Sequence, residues 1–164
     1  MNKCITIIRG ASGVGKTTIL HSLLNNKSQL FCVDVDSIRC MFSKMDWKNG
    51  YNEYVSALEI TISIIDKLIA LGYCHIIVAD TFRPSQLFDF IGKLNHSYEI
   101  YSLFCDNDVL KSRLTKRDLP SQSFNEIIEY NDRISKHDLP ECMEKEGVVQ
   151  YFDVTQEIPS CFFE

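Results

Sequence analysis

IRGASGVGKTT, residues 8–18, is the stretch that decides the fold of this 164-residue sequence. Within it, residues 10–17 match the pattern G-x-x-x-x-G-K-[ST] at every position. The match follows the apolar run CITIIRG (4–10) and precedes a helical segment from about Thr18 to Asn25. Both context tests for a phosphate-binding loop are therefore met, and the sequence predicts a site for a nucleoside triphosphate.

Each residue type in this loop has a physical task. The glycines leave room for main-chain amides to turn inward around the β-phosphate. Lys16 is expected to reach β- and γ-phosphate oxygens, and the Thr17 hydroxyl is expected to ligate magnesium. The predicted nucleotide-binding residues of the loop are Gly10, Ser12, Gly13, Val14, Gly15, Lys16, Thr17 and Thr18.

Apolar runs that read as strands recur along the chain, with segments of helical period between them. The five runs are residues 4–10, 30–35, 74–80, 98–104 and 147–154. This alternation predicts an α/β fold with a five-stranded, mostly parallel sheet and helices on both faces. The helix from about Asn52 to Leu71 is apolar nearly all round, so it should be largely buried, and Gly72 should end it.

Size and charge set limits on function. A chain of 164 residues with 45% hydrophobic residues predicts one domain, residues 1–164. No apolar stretch is long enough to span a membrane, and the chain runs straight into the loop without room for a cleavable leader, so a cytoplasmic location is expected. A net charge of -5 means that no global positive field would attract long nucleic acid, although short or local contacts remain possible.

The cysteines and histidines argue against a zinc site. Seven cysteines are scattered without a CxxC pair, and several fall in apolar runs, which indicates buried, reduced thiols. The four histidines show no ligand spacing.

A switch GTPase is one alternative. Asp89-Phe-Ile-Gly92 fits D-x-x-G, and Thr115-Lys-Arg-Asp118 fits the guanine-reading [NT]-K-x-D. The first should leave a strand, yet Asp89 falls within a helical segment, and the second closes an amphipathic helix. Both contexts argue against a GTPase.

A kinase is favoured by Asp36-Ser-Ile-Arg39, which follows the second strand. A carboxylate at the carboxyl end of a strand beside the phosphate loop can accept a proton from an acceptor hydroxyl. Arg39, one helical turn later, would share a face with Asp36 and could bind an anionic group of the acceptor. The alternative is that Asp36 only caps the next helix and Arg39 is a surface charge.

Residues 111–140 predict a helical lid. Arg113-Leu-Thr-Lys-Arg-Asp-Leu-Pro120 resembles Arg133-Ile-Ser-Lys-His-Asp-Leu-Pro140, and each copy reads as a basic helix end followed by the start of another helix. The result would be a helical hairpin at the rim of the sheet that could move.

The phosphate loop, D-x-x-R at 36–39, the strand ending in Asp80-Thr81 and R-x-x-x-R at 113–117 together resemble the small P-loop kinases of the polynucleotide 5′-hydroxyl kinase type. Zeta toxin kinases, chloramphenicol phosphotransferase and adenylylsulfate kinase are similar in plan. The resemblance covers nearly the whole chain and implies the P-loop NTPase fold. Only the phosphate loop is highly specific.

The resemblance also implies roles for individual residues. Asp36 is expected to be the general base, and Arg39 to bind an acceptor phosphate. Arg113 and Arg117 are expected to lie on the lid and neutralise the transferring phosphoryl group. Asp80 either orients magnesium through water or only ends its strand.

One position departs from the pattern. Phe82 stands where these kinases often have asparagine, and it either stacks on a base or packs in the core. Arg83 follows it and is assigned to the acceptor site with Asp36 and Arg39. The resemblance puts Val154-Thr-Gln156 near the adenine.

The sequence therefore predicts an enzyme, an ATP- and Mg²⁺-dependent P-loop kinase. The acceptor would be a hydroxyl of a nucleoside, a nucleotide or a nucleic acid 5′-end. A regulatory P-loop ATPase or GTPase without an acceptor and an antibiotic-type small-molecule kinase are the alternatives. Residues 41–54, with Trp47 and tyrosines, form either a stacking pocket for the acceptor or a plain hydrophobic cap.

Overall fold

Five parallel strands form a single sheet at the centre of the protein. The computed structural model describes residues 4–26, 30–42, 50–116 and 121–156. The strands are Ile5–Gly10 (β1), Phe31–Asp34 (β2), Ile76–Asp80 (β3), Tyr98–Phe104 (β4) and Val149–Asp153 (β5). Their order is β2-β3-β1-β4-β5, and each of these neighbours pairs in parallel. The predicted α/β fold is confirmed, as is each of the five predicted strands.

Helices connect the strands and cover both faces of the sheet. They are Lys16–Asn26 (α1), Val35–Arg39 (α2), Tyr51–Ala70 (α3), Pro84–Ile91 (α4), Asn107–Thr115 (α5), Ser121–Ser135 (α6) and Glu141–Lys145 (α7). Within the described ranges, no helix has the length and apolar character needed to cross a bilayer.

The alternation of side chains along β1 divides the core in two. Ile7 points to one face and packs with residues of α3 and α4, whereas Ile8 points to the other and packs with residues of α1, α5 and α6. Because both faces of the sheet are covered, its strands are almost continuously apolar, as parallel sheets require.

The connections between the strands change direction at β1, in the middle of the sheet. β1 lies between β3 and β4, so the connections leaving the strands diverge to either side of it. In open α/β sheets, ligands bind at the carboxyl ends of the strands where this divergence occurs. The loop after β1 is the phosphate loop, which therefore lies at the expected place.

The predicted end of α3 is confirmed. Gly72 has a φ of 91°, and the amide of Tyr73 donates to the carbonyl oxygen of Leu68 at 3.0 Å. This is the left-handed stop that glycine makes easily. The turn at Gly72 and Tyr73 ends before β3 begins. Cys74 follows this turn, ahead of the strand, and is exposed. The expectation of buried thiols is wrong for Cys74, and also for Cys40 and Cys142, which are exposed.

The second helix of the predicted lid is held firmly against the sheet. Asn131 of α6 is 1% exposed, and its side-chain amide accepts from the amide of Cys105 at 3.1 Å and donates to the carbonyl oxygen of Cys105 at 2.7 Å. The second basic helix end is confirmed: α6 ends at Ser135 and α7 begins after Pro140. Movement of the lid stays a prediction.

We expect Asn131→Ala to lower the free energy of unfolding by about 1–3 kcal/mol, because it leaves buried main-chain groups of Cys105 without a partner. Asn125→Ala, at an exposed position of α6, is the matched control and should change it by less than about 0.5 kcal/mol. Chemical denaturation measures both values. Equal effects of the two changes would contradict the anchoring role of Asn131.

Candidate active site

A small polar cavity lies at the carboxyl edge of the sheet, between the phosphate loop and the ends of β2 and β3. Its lining consists of Ser12, Gly13, Gly15, Lys16, Thr17, Thr18, Asp34, Asp36, Ala79 and Thr81. Six of the eight predicted loop residues therefore face one cavity, together with the predicted general base.

The backbone of the loop explains its glycines. Gly13 and Gly15 have φ values of 84° and 120°, which are strained for any residue with a Cβ atom. A Cβ atom at Gly10 would lie 2.8 Å from Cγ1 of Val14 and 2.9 Å from the carbonyl oxygen of Leu103. Gly10 and Val14 thus lie behind the cavity and shape the loop.

The ammonium group of Lys16 lies over its own loop. Nζ donates to the carbonyl oxygens of Gly10 at 2.8 Å and Ala11 at 3.1 Å. The positive charge is therefore held at the first residue of α1, where the helix dipole and the first free amides also favour an anion. This arrangement can bind the phosphates of a nucleotide.

Two carboxylates at the end of β2 face the cavity. Asp34 caps α2, and its Oδ1 atom accepts from the amide of Asp36 at 3.1 Å. The capping role considered for Asp36 thus belongs to Asp34, and the Asp36 side chain is 48% exposed. Burial raises the pKa of Asp34, the charge of Asp36 raises it further, and the amide of Asp36 and the Lys16 charge oppose this.

Asp34 was missed as a site residue by the sequence reasoning. The available signal was the alternation Val33-Asp34-Val35-Asp36 at a strand end, which puts two carboxylates at one edge.

Arg39 is brought to Asp36, as the sequence predicts. Its Nη1 atom lies 3.5 Å from Oδ1 of Asp36, and its guanidinium carbon lies 5.2 Å from the centre of the Tyr54 ring. The Arg39 side chain is only 12% exposed, so it is not a free surface charge. It lies beside the cavity, in position to bind an anion.

Tyr54 connects this group to the end of β3. Its hydroxyl donates to Oδ2 of Asp80 at 2.6 Å, and it is 8% exposed. Tyr54 is therefore neither a stacking surface nor a plain apolar cap. Trp47 lies outside the described residues.

Asp80 is 3% exposed and turns toward α3, so it is not among the residues that line the cavity. Burial raises the pKa of its carboxyl, and the charge of Asp36 raises it further. The hydrogen bond from Tyr54 is the strongest opposing influence.

The predicted arginines lie in different places. Arg113 donates from Nη1 to the carbonyl oxygen of Val14 at 2.9 Å and from Nη2 to that of Val154 at 3.4 Å. It thereby joins the phosphate loop to the segment after β5, where the resemblance puts the adenine. Arg83 is 58% exposed, its Nη2 atom lies 3.9 Å from Oε2 of Glu126, and it is not among the residues that line the cavity. Arg117 lies outside the described residues.

Phe82 packs in the core. It is fully buried, with its ring centre 5.0 Å from that of Phe90. The packing interpretation is therefore supported over base stacking.

Neither GTPase motif has the required context in the described residues. Asp89 is an exposed residue within α4, and Thr115 is the last residue of α5.

The donor set fits magnesium better than a transition metal. No cluster of three or more His, Cys, Asp or Glu side chains in the described part of the chain could hold a metal by itself. Magnesium commonly needs only one or two protein oxygen ligands, with water and phosphate supplying the rest. The Thr17 hydroxyl in the cavity, with carboxylates nearby, provides that chemistry.

We expect Tyr54→Phe to raise the pKa of Asp80 further, because it removes the hydrogen bond that opposes burial. Because the folded-state pKa of Asp80 is raised, its contribution to stability is fully present below the ordinary pKa of 3.8 and is lost as pH rises through the folded-state pKa. In the variant, the contribution of Asp80 to stability should be lost at a higher pH than in the wild type. Carboxyl ¹³C NMR against pH measures the shift. Tyr51→Phe, at an exposed position of the same helix, is the control, and an unshifted Asp80 in Tyr54→Phe would contradict the interpretation.

Comparison with known proteins agrees with this geometry. The model of the AAA domain family matches residues 6–137. No curated protein matches. Among solved structures, a sugar kinase from Janibacter sp. HTCC2649 is similar with a TM-score of 0.64 and 17% identity, over 98% of this chain and 90% of that one. A gluconokinase from Sinorhizobium meliloti 1021 is similar with a TM-score of 0.62 and 13% identity, over 94% and 85%.

A chain of the Pnkp1/Rnl/Hen1 RNA repair complex is similar with a TM-score of 0.62 and 16% identity, over 83% of this chain and 46% of that one. At these identities the likeness to solved structures shows the fold alone, whereas the family model spans most of the sequence. The chain therefore belongs to the AAA domain family and has the fold of the small P-loop kinases.

Proposed function

We propose that this protein is an ATP- and Mg²⁺-dependent kinase that transfers the γ-phosphoryl group to a hydroxyl of a small acceptor. The observation that carries the proposal is the common cavity: Lys16 and the phosphate loop line it on one side, and the carboxylate of Asp36 lines it on the other. A regulatory NTPase also needs the first feature and can use a carboxylate to orient water, so transfer of the phosphoryl group to an acceptor, as opposed to water, distinguishes the two functions.

The phosphate loop and Lys16 hold the donor. Inward amides and the Lys16 ammonium would bind the β- and γ-phosphates, and Thr17 would hold magnesium. Asp80, which is outside the cavity lining, would act on the ion only through water. When bound, magnesium offsets negative charge on the phosphates. Thr18 and Ser12 complete the wall of the cavity beside them.

Asp36 activates the acceptor. Its carboxylate takes the proton of the acceptor hydroxyl while that oxygen bonds to the γ-phosphorus and the bond from phosphorus to the β–γ bridging oxygen breaks, releasing ADP. Arg39, held at 3.5 Å from Asp36, positions an anionic group of the acceptor. Asp34 is occupied with the α2 cap, which favours Asp36 over it as the base.

The two lid arginines divide their work in this proposal. Arg113 already donates to two main-chain carbonyl oxygens, so it keeps the phosphate loop and the base-binding segment in register. Arg117 is then the residue assigned to the charge that spreads over the transferring phosphoryl oxygens. Arg83 is assigned to the outer part of the acceptor site, beyond the cavity.

A nucleoside, a nucleotide or a nucleic acid 5′-end is the proposed acceptor class. The position of Arg39 beside Asp36, the proposed general base, suits an acceptor that carries a phosphate near its hydroxyl. The likeness to a chain of an RNA repair complex supports the same class, whereas the likeness to a sugar kinase and a gluconokinase supports a small polyol acceptor. The guanidinium group of Arg39 next to Asp36 supports the first.

We expect Asp36→Asn to lower kcat by ~10²–10⁴ while MgATP affinity stays nearly unchanged, as for loss of a general base. Asp34→Asn should lower stability through the weaker cap and affect kcat far less. Single-turnover phosphoryl transfer and nucleotide titration measure the two effects. If Asp34→Asn were the more damaging change to kcat, the base would be Asp34.

Transfer of labelled γ-phosphate decides the acceptor. The panel comprises a 5′-hydroxyl oligonucleotide, nucleosides and nucleotides, simple sugars, and chloramphenicol with aminoglycosides. Stable label on a member of the first two groups supports the proposed class. Label only on sugars or antibiotics would replace the acceptor, and hydrolysis with no labelled product would refute kinase activity.

A further inference from the structure

The hydroxyl of Tyr130, on α6, joins three parts of the protein. It accepts a hydrogen bond from Nη2 of Arg9 at 2.8 Å and lies 2.8 Å from the carbonyl oxygen of Phe82 and 3.1 Å from that of Thr81. Tyr130 is 5% exposed, so these contacts are made away from bulk solvent.

The direction of these hydrogen bonds follows from chemistry. A guanidinium group can only donate, so the Tyr130 oxygen must accept from Arg9. The single hydroxyl hydrogen is then available for the turn after β3, where the two carbonyl oxygens can only accept. Arg9 thereby orients the Tyr130 hydroxyl toward Thr81 and Phe82.

The orientation of Arg9 is itself fixed. Arg9 is fully buried, and its Nη2 atom also pairs with Oδ2 of Asp138 at 2.7 Å. A buried charge with a buried counter-charge has little freedom to turn. Tyr130 therefore acts as a link between a rigid ion pair and the turn.

The turn needs such a link. Phe82 has a φ of 43°, a left-handed conformation that is rare for a bulky side chain and persists only where the surroundings hold it. Thr81, directly before it, lines the cavity at the end of β3, next to the end of β2, which carries Asp34 and leads to Asp36. Asp80, before Thr81, is the partner of Tyr54. The strained residue thus lies where the wall of the candidate site turns away from β3.

We propose that Tyr130 is a positioning residue for the acceptor step: its hydroxyl holds the Thr81–Phe82 turn so that the acceptor side of the cavity is already in place when the nucleotide binds. This inference rests on the proposed kinase function and adds a residue of the lid region to it. Tyr130 is buried and is not among the residues that line the cavity, so it acts through the main chain of the turn.

Tyr130→Phe tests the proposal by removing only the hydroxyl. We expect kcat/KM for the acceptor to fall by about 10- to 100-fold, because small displacements of positioning groups have costs of this size, while the MgATP Kd changes by less than about two-fold. Tyr98→Phe is the matched control, since Tyr98 is the first residue of β4 and lies at the amino ends of the strands, opposite the cavity. It should leave both constants unchanged.

Two further measurements separate positioning from stability. Asp138→Asn removes the counter-charge of Arg9 but keeps a side-chain oxygen that can accept from Nη2, so Arg9 and the Tyr130 hydroxyl keep their orientation. It should therefore lower the melting temperature while keeping the acceptor kcat/KM within about three-fold of wild type. Hydrogen exchange in peptides spanning residues 81–87 should be about ten-fold faster in Tyr130→Phe than in Tyr98→Phe, with no ligand present.

The outcomes are distinct. Faster exchange together with a selective loss in acceptor kcat/KM supports the proposal. If the wild type is an active kinase, two results overturn the proposal. One is unchanged hydrogen exchange in Tyr130→Phe, and the other is an equal loss of acceptor kcat/KM in Tyr130→Phe and Asp138→Asn. A wild type that binds MgATP and transfers phosphate to no acceptor refutes the kinase function first, and the acceptor role of Tyr130 with it.

Discussion

A buried guanidinium at position 9 constrains the whole carboxyl edge of the sheet. An isolated ion moved out of water costs more than a domain of this size can supply, so Arg9 must find a counter-charge and hydrogen-bond acceptors inside the protein. Asp138, after α6, provides the counter-charge, and Tyr130 of α6 provides a hydrogen-bond acceptor, both at Nη2. Nε and Nη1 of Arg9 have no hydrogen-bond partner in the described residues. Because Arg9 directly precedes Gly10, the same contacts that neutralise it also fix the strand from which the phosphate loop departs.

The charges around the candidate site suit the proposed binding of a polyanion together with a divalent cation. Asp34, Asp36 and Asp80 lie near one another, and the raised pKa values of Asp34 and Asp80 reflect their burial together with the neighbouring charge of Asp36. Lys16 and Arg39 offset part of this repulsion. A nucleotide alone would add further negative charge, so the site is electrostatically balanced only when a cation accompanies it. This is a physical reason to expect magnesium in addition to the Thr17 hydroxyl.

Features encoded in consecutive residues could be predicted from the sequence. The phosphate loop is one unbroken segment, and its glycines, lysine and threonine determine its conformation locally. The five strands can be recognised from their apolar composition. Which of two aspartates caps α2 could not be predicted, because it depends on where β2 ends to within a residue or two. Pairs far apart in sequence were also beyond prediction: Tyr54 with Asp80, Arg113 with Val154, and Arg9 with Asp138. Arg9 did leave a signal, as a charge inside an otherwise apolar strand.

Two tyrosines hold the end of β3 in the same way. Tyr54 reaches the end of β3 from α3 on one face of the sheet and holds Asp80, while Tyr130 reaches it from α6 on the other face and holds Thr81 and Phe82. Three consecutive residues are thus clamped by two hydroxyl groups that approach from opposite sides. The donor side of the site needs no comparable device, because the loop folds around its own amides. In the proposed reaction a hydroxyl acceptor has no such ready-made cradle, so its side of the cavity depends on packing of both helical layers. Changes in either layer should then affect acceptor binding before they affect phosphate binding.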